Sequence, residues 1–146
     1  MKKFFKCCSD AVLRLVPAAV GRKTDMKIQR FEDIQSWQEA RSFTKRIYGI
    51  TRELPFKRDQ ALCGQIQRAS VSIMANIAEG FDRQSRREFV QFLYYASASA
   101  SEVQSHLYVA LDQRYISEQD FGIMYEQAKK TKSLINGFIA YLKGKR

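Results

Sequence analysis

Residues 68–102 constrain the fold more than any other part of this chain, because they contain two helical patterns separated by a helix stop and a helix start. Gly80 follows the first pattern, where a glycine can take the left-handed conformation that ends a helix. Ser85 and Glu88 begin the second pattern as a capping box. In such a box the serine accepts from the N–H three residues on, and the glutamate reaches back to the serine N–H. The segment therefore predicts two consecutive helices joined by a short turn.

Two further helical patterns complete the chain. Asp33 is a suitable N-cap for the first helix and Pro55 stops it, while Ser117 and Asp120 form a second box before the last helix. Seven glycines and two prolines are too few for a strand-and-turn architecture of 146 residues. We therefore expect an all-α protein, an antiparallel up-down-up-down four-helix bundle, since short connections favour that arrangement. The predicted helices span about residues 33–54, 58–79, 85–112 and 117–142.

Residues 1–25 are predicted to be a poorly ordered or short helical extension, and residues 26–146 to be the bundle. The first 30 residues carry eight Lys or Arg against two Asp, a net charge of +6, while the other 116 carry 17 bases against 13 acids, a net charge of +4. Charged residues interrupt the apolar run that a signal peptide would need. No apolar run is long enough to span a membrane. Three cysteines without metal-ligand spacing favour a reduced, cytoplasmic setting.

The sequence lacks recognisable catalytic and metal-binding patterns. Its single histidine, His106, has Glu102 one helical turn earlier, but no nucleophile is spaced to join the pair. No Glu-x-x-His pair, Walker loop or GxGxxG motif occurs. We expect no enzyme activity, no cofactor and no metal site.

Polar residues occupy one face of the second predicted helix. They recur at spacings of four, four and three, which places them together: Arg68, Ser72, Asn76 and Glu79. Two interpretations are open. The face is either a binding surface or, as we favour, a hydrogen-bonded network inside the bundle or at a subunit contact, with Glu102 of the third helix as a further member.

Alanine and serine alternate over residues 96–101 of the third predicted helix. Such small side chains allow the backbone of a neighbouring helix to approach closely. We therefore expect the closest helix packing along this stretch, including Ala98, either within one subunit or between subunits.

Basic residues form two groups that are candidates for nucleic-acid contact. The denser group lies at the turn between the second and third helices and consists of Arg83, Arg86 and Arg87. A helix N-terminus there also favours anions, although Asp82 and Glu88 dilute the positive charge. The other group follows a stripe of the first helix: Arg41, Lys45 and Arg52. Tyr94 and Tyr95 lie two turns beyond the denser group, and arginines near aromatic rings hold single-stranded nucleic acid through phosphate contacts and stacking.

A family resemblance rests on the segment from Gln65 to Leu111, QIQRASVSIMANIAEGFDRQSRREFVQFLYYASASASEVQSHLYVAL. The segment resembles the signature of the bacterial 23S rRNA intervening-sequence proteins, a family of four-helix-bundle proteins. Its shared features are a basic residue before a serine-rich turn, Asn-Ile-Ala-Glu-Gly, an Arg/Ser turn, and Phe-Leu before a small-residue stretch ending in Glu. The lead-in FEDIQSWQEAR also fits, and the likeness covers about residues 27–146. The chain departs at Ser97–Ala98, where the family often has Arg-Gly, which weakens the expectation of a basic contact on the third helix.

The resemblance implies an antiparallel bundle that assembles as a ring-like homopentamer, with RNA binding as the expected activity. It also implies a gene setting within, or related to, insertions in rRNA genes. A related group is the accessory variability proteins of diversity-generating retroelements, which are basic pentameric bundles that work with a reverse transcriptase and its template RNA.

Two functional hypotheses follow from the residues and the resemblance together. The first is a non-enzymatic, RNA-binding, oligomeric bundle. The second is an assembly or adaptor protein whose polar stripe and small-residue face bind a protein partner such as a retroelement reverse transcriptase.

Overall fold

The computed structural model describes residues 28–144, which form four helices and no strand. The helices are α1 (Gln35–Ile50), α2 (Gln60–Phe81), α3 (Arg86–Asp112) and α4 (Glu118–Gly144). The predicted all-α class is confirmed. Residues 1–25, for which we predicted an extension, lie outside the described residues.

The helices pack in chain order around one core, and each neighbouring pair is antiparallel. α1 and α3 each pack against both α2 and α4, so α1 and α3 occupy diagonal corners. Between α3 and α4, the Ser97 hydroxyl lies 3.1 Å from Asn136 Oδ1 and Lys132 Nζ lies 2.7 Å from Ser101 Oγ, so the numbering runs in opposite directions. The arrangement is the up-down-up-down bundle that the sequence predicts.

The beginning of α1 differs from the prediction. Asp33 does not cap α1; it ends a short 3-10 turn, and Ile34 is the residue that precedes the helix. The Asp33 carboxylate accepts from the backbone N–H of Gln29 at 3.0 Å and of Arg30 at 3.3 Å. These hydrogen bonds hold the pKa of Asp33 below its usual value. Asp33 therefore stabilises the turn that leads into the helix.

α1 also ends earlier than predicted, at Ile50 instead of Leu54. The Thr51 hydroxyl donates to Ile47 O at 2.9 Å and accepts from Gln67 Nε2 at 2.8 Å, which ties the end of α1 to α2. The chain then turns so that Phe56 is fully buried. The predicted boundary is wrong. The chain leaves the helix before it reaches Pro55, because the turn after Ile50 buries Phe56.

Gly80 has a different role from the predicted helix stop. It lies inside α2, its φ is not positive, and α2 continues to Phe81. A Cβ placed on Gly80 would lie 2.7 Å from Phe92 Cβ and 2.8 Å from Phe89 Cδ2. The prediction of a left-handed Gly80 is wrong. This glycine allows α3 to approach the backbone of α2.

Ser85 caps α3 as predicted. Its Oγ accepts from the N–H of Glu88 at 3.2 Å, which is one half of the predicted box. The Glu88 carboxylate accepts from the Ser85 hydroxyl at 2.7 Å, so it contacts the side chain and not the backbone N–H. Ser117 and Asp120 repeat this pattern at the start of α4, at 3.0 and 2.7 Å.

The small-residue stretch of α3 is mostly buried between α2 and α4. Its buried members are Ala96, Ser97, Ser99 and Ala100. Ala98 is exposed, so the expectation that it packs within one subunit is wrong. In the part of the chain that the structure describes, no helix combines the length and apolar character that crossing a membrane requires.

Candidate nucleic-acid interface

The outward face of α1 is positively charged. Arg41, Lys45 and Arg46 are exposed, and none of them forms an ion pair within residues 28–144. The acid of this helix, Glu39, has a side chain that is only 16% exposed and lies 2.7 Å from Lys130 of α4. Because Glu39 is already paired, it does not offset the charge of the exposed cations.

A regular stripe runs along α1 and just past its end. We call it the α1 strip, and its members are Trp37, Arg41, Lys45, Tyr48 and Arg52. Their spacings of four, four, three and four keep them on one side of the helix. At 1.5 Å per residue the strip is about 22 Å long. It therefore presents three cations and two aromatic rings in a row, and it contains all the α1 candidates that the sequence suggested.

The aromatic residue at the start of the strip is held in place by its neighbours. The Phe31 ring meets the Trp37 ring edge-on at 5.1 Å between centroids. The guanidinium of Arg41 lies 5.9 Å from the centre of the same ring, within range of a cation–π interaction. Trp37 thus orients Arg41 along the strip.

The second predicted group lies at the turn between α2 and α3. One of its arginines already forms contacts within the chain. Arg83 forms an ion pair with Glu79, and its guanidinium lies 4.5 Å from the centre of the Phe92 ring. Arg87 is exposed and Arg86 is half-buried. Arg83 is therefore less available to a ligand than its place in the sequence suggests, while Arg87 remains available.

The two basic groups belong to separate parts of the bundle. Arg41, Lys45 and Arg52 follow α1, whereas Arg83, Arg86 and Arg87 flank the start of α3. Among the described side chains, no contact joins the two groups. The two groups therefore form two separate surfaces.

The polar stripe of α2 is divided among several local contacts. Asn76 Nδ2 donates to Ser72 O at 2.8 Å and to Ser72 Oγ at 3.1 Å. Ser99 Oγ of α3 donates to the same Ser72 Oγ at 3.1 Å, which joins the two helices. Ser99 is not among the residues that the sequence predicts for this network. Its place in the alternating Ala/Ser stretch, beside an expected helix contact, was the available signal.

The other members proposed for that network have different partners. Glu79 pairs with Arg83, and Glu102 lies 3.6 Å from His106 Nε2 of its own helix. The Arg68 guanidinium lies beside Gly64, one turn earlier, with its Nη1 3.2 Å from where a glycine Cβ would stand. The contacts that cross between α2 and α3 along this stripe are those of Ser72.

Side chains that could bind a metal do not cluster in residues 28–144. The structure shows there no group of three or more His, Cys, Asp or Glu side chains that could hold a metal ion. Cys63 is buried, and its Sγ donates to Phe56 O at 3.3 Å. Burial raises the pKa of the Cys63 thiol, which disfavours the reactive thiolate.

An antiparallel four-helix bundle with one basic outward face is the class of protein that these features define. The chain belongs to the 23S rRNA-intervening sequence protein family, whose sequence profile matches residues 32–137. A crystal structure from Bacteroides thetaiotaomicron, described as a protein of unknown function from the S23 ribosomal protein family, is similar to it. The two chains share 24% identity with a TM-score of 0.65, covering 71% of this chain and 97% of that one. At this identity the likeness shows the fold alone. No curated protein matches the chain.

Proposed function

We propose that this protein binds RNA through the phosphate backbone, without catalysis, and that the α1 strip is the principal contact surface. The observation that carries the proposal is the sign of the exposed charges on α1. Arg41, Lys45 and Arg46 are all positive, and the one acid of the helix, Glu39, is paired with Lys130. Exposed cations attract phosphates because binding releases the counterions of the nucleic acid.

Ion pairs within the chain support a ranking of the candidate residues in this proposal. Arg41, Lys45 and Arg52 have no acidic partner within residues 28–144, whereas Arg83 already has one. Arg86 and Arg87 supply a second contact in this proposal, aided by the N-terminus of α3. RNA is proposed over other polyanions because RNA binding is the activity that the family resemblance implies; the family name itself refers to intervening sequences of 23S rRNA.

The proposed assembly is a homopentamer, as the family resemblance implies, in the cytoplasm, as the cysteine pattern favours. In a closed ring each subunit presents its own α1 strip, so one RNA molecule can engage several strips. Binding several weak sites at once raises the apparent affinity without requiring any new contact within a subunit.

The charge dependence of RNA binding tests this proposal on the full chain. The test variant combines Arg41→Gln, Lys45→Gln and Arg52→Gln. We expect the slope of log affinity against log salt to become shallower by about 2, since each neutralised phosphate of a single strand contributes roughly 0.7. DNA of the same sequence, measured in parallel, shows whether the preference is for RNA.

A matched variant controls for the loss of three charges. Arg114→Gln, Lys129→Gln and Lys143→Gln remove the same charge from α4 and the loop that precedes it, which carry no member of the strip. This variant should keep most of the salt dependence. If both variants lose it equally, binding follows net charge alone and the α1 strip is not the site.

The adaptor role is a second candidate function, favoured by exposed uncharged side chains on α2 and α3. Val71 is 42% exposed and Tyr95 is 50% exposed, and the exposed residues Ala75 and Ala98 lie on the same two helices. Exposed tyrosines and small residues suit a protein partner. That partner would be a further copy of this chain or a reverse transcriptase. Coupled expression with such an enzyme and recovery of a stoichiometric complex would favour this role.

A further inference from the structure

The α1 strip alternates aromatic rings with cations. Trp37 precedes Arg41 by one turn. Tyr48 lies three residues after Lys45 and four residues before Arg52. Both rings are half-buried, so each is supported by the protein and also reaches the surface. Charge alone does not explain two rings in a row of phosphate-binding cations.

Tyr48 differs from every other tyrosine of the chain. All seven lie within residues 28–144, and the other six contact an aromatic or cationic side chain. Tyr94, for example, has Lys143 Nζ 5.9 Å from its ring centre, and Tyr108 meets Phe121 at 4.9 Å. The remaining four, each paired with another ring, are Tyr95, Tyr115, Tyr125 and Tyr141. Within the described residues, no ring or cation lies against Tyr48.

The position of Tyr48 matters for the type of RNA that the strip can hold. Phosphates are present on single strands and duplexes alike, so cations do not distinguish them. Base faces are open only in unpaired nucleotides, where they stack on aromatic side chains. A ring with a cation one turn away on each side can therefore stack one base while the cations hold the phosphates that flank it.

We infer that the α1 strip selects unpaired nucleotides, with Tyr48 as the platform on which a base stacks. This inference rests on the proposed RNA-binding function. The strip binds the backbone through Arg41, Lys45 and Arg52, and Tyr48 sets the preference for single strands. Trp37 has a supporting role, because Phe31 and Arg41 already lie against its ring.

Affinities for paired and unpaired RNA test this inference on the full chain. The probes are an oligo-uridine strand and a fully paired RNA hairpin with the same number of phosphates. Tyr48→Ser should weaken oligo-uridine binding about 5-fold or more, the loss expected for one stacked base. Hairpin affinity and the salt slope should stay unchanged, because no charge is altered. Tyr48→Phe keeps the ring and should keep the preference.

Two further measurements test whether the effect belongs to the α1 strip. Tyr94→Ser removes an exposed tyrosine from α3, away from the strip, and should leave both affinities unchanged. The chain has one tryptophan, Trp37, so its fluorescence reports binding on the strip of the wild-type protein. Oligo-uridine should quench it more than the hairpin does.

The failures of the two proposals can be told apart. If the wild type binds neither probe, the RNA-binding function is wrong and the inference falls with it. Suppose that the wild type binds and that the charge variant of the strip weakens this binding. If Tyr48→Ser then changes the affinities for both probes equally, or changes neither, only the inference is overturned.

Discussion

Replacing Gly80 by alanine should destabilise the protein although alanine is the better helix former. The new Cβ would lie 2.7 Å from Phe92 Cβ, which is fixed to the backbone of α3, and 2.8 Å from the ring of the buried Phe89. Overpacking costs roughly 1–3 kcal/mol, and contact with a Cβ atom places this case near 3. Alanine regains at most about 1 kcal/mol of helix propensity. The expected net loss is about 2 kcal/mol.

Thermal and urea unfolding followed by circular dichroism measure this loss. At roughly 4 °C per kcal/mol for a chain of this size, the midpoint should fall by about 8 °C. The matched control is Gly137→Ala, because Gly137 is also inside a helix and nothing lies within 4 Å of its added Cβ. That change should raise stability by about 0.5–1 kcal/mol. If Gly80→Ala is as stable as Gly137→Ala, the close approach of α3 at Gly80 is refuted.

Two further predictions concern α3. Ser85→Ala removes the cap and should lower the free energy of unfolding, measured by urea titration, by about 1 kcal/mol. An unchanged midpoint would mean that the cap is dispensable. Ala98→Leu should leave the stability of an isolated subunit unchanged, because Ala98 is exposed. It should lower the mass measured by light scattering if the exposed uncharged residues of α2 and α3 join subunits. An unchanged mass would place Ala98 outside any subunit contact.

The sequence predicts the helices well where the signal is local. The caps at Ser85 and Ser117 follow from residues three positions apart, and both are present. The end of α1 could not be predicted in the same way. It depends on burial of Phe56 and on the contact of Thr51 with Gln67 of α2, which are tertiary interactions. Proline was the visible signal, but it lies beyond the true end.

Glycine illustrates a second limit. It serves either a positive φ or a close approach of another chain segment, and the sequence does not distinguish the two. A glycine near a helix end suggested the first use at Gly80. The structure shows the second, because Phe89 and Phe92 of the next helix occupy the space of its missing side chain.

The candidate site was only partly predictable, because charge is local and pairing is not. Arg83 and Glu79 are four residues apart, so their ion pair could have been read from the sequence, and it lowers the rank of the turn as a binding surface. The pairing of Glu39 with Lys130 joins α1 to α4 across 91 positions and has no sequence signal. Because of that pair, the one acid of α1 is already engaged, and the outward cations of the helix form no ion pair within residues 28–144.

The division of polar residues among the helices supports the assignment of the ligand surface to α1. On α2 and α3, the Ser72, Asn76 and Ser99 side chains bond to one another, and the glycine at position 80 allows the two helices to pack closely. Those residues therefore contribute to assembly of the bundle. The exposed charges of α2, α3 and α4 are of both signs, whereas those of α1 are all positive. Since α1 stands diagonally opposite α3, the proposed RNA contact on α1 and a subunit contact through the exposed uncharged residues of α3 would use different residues.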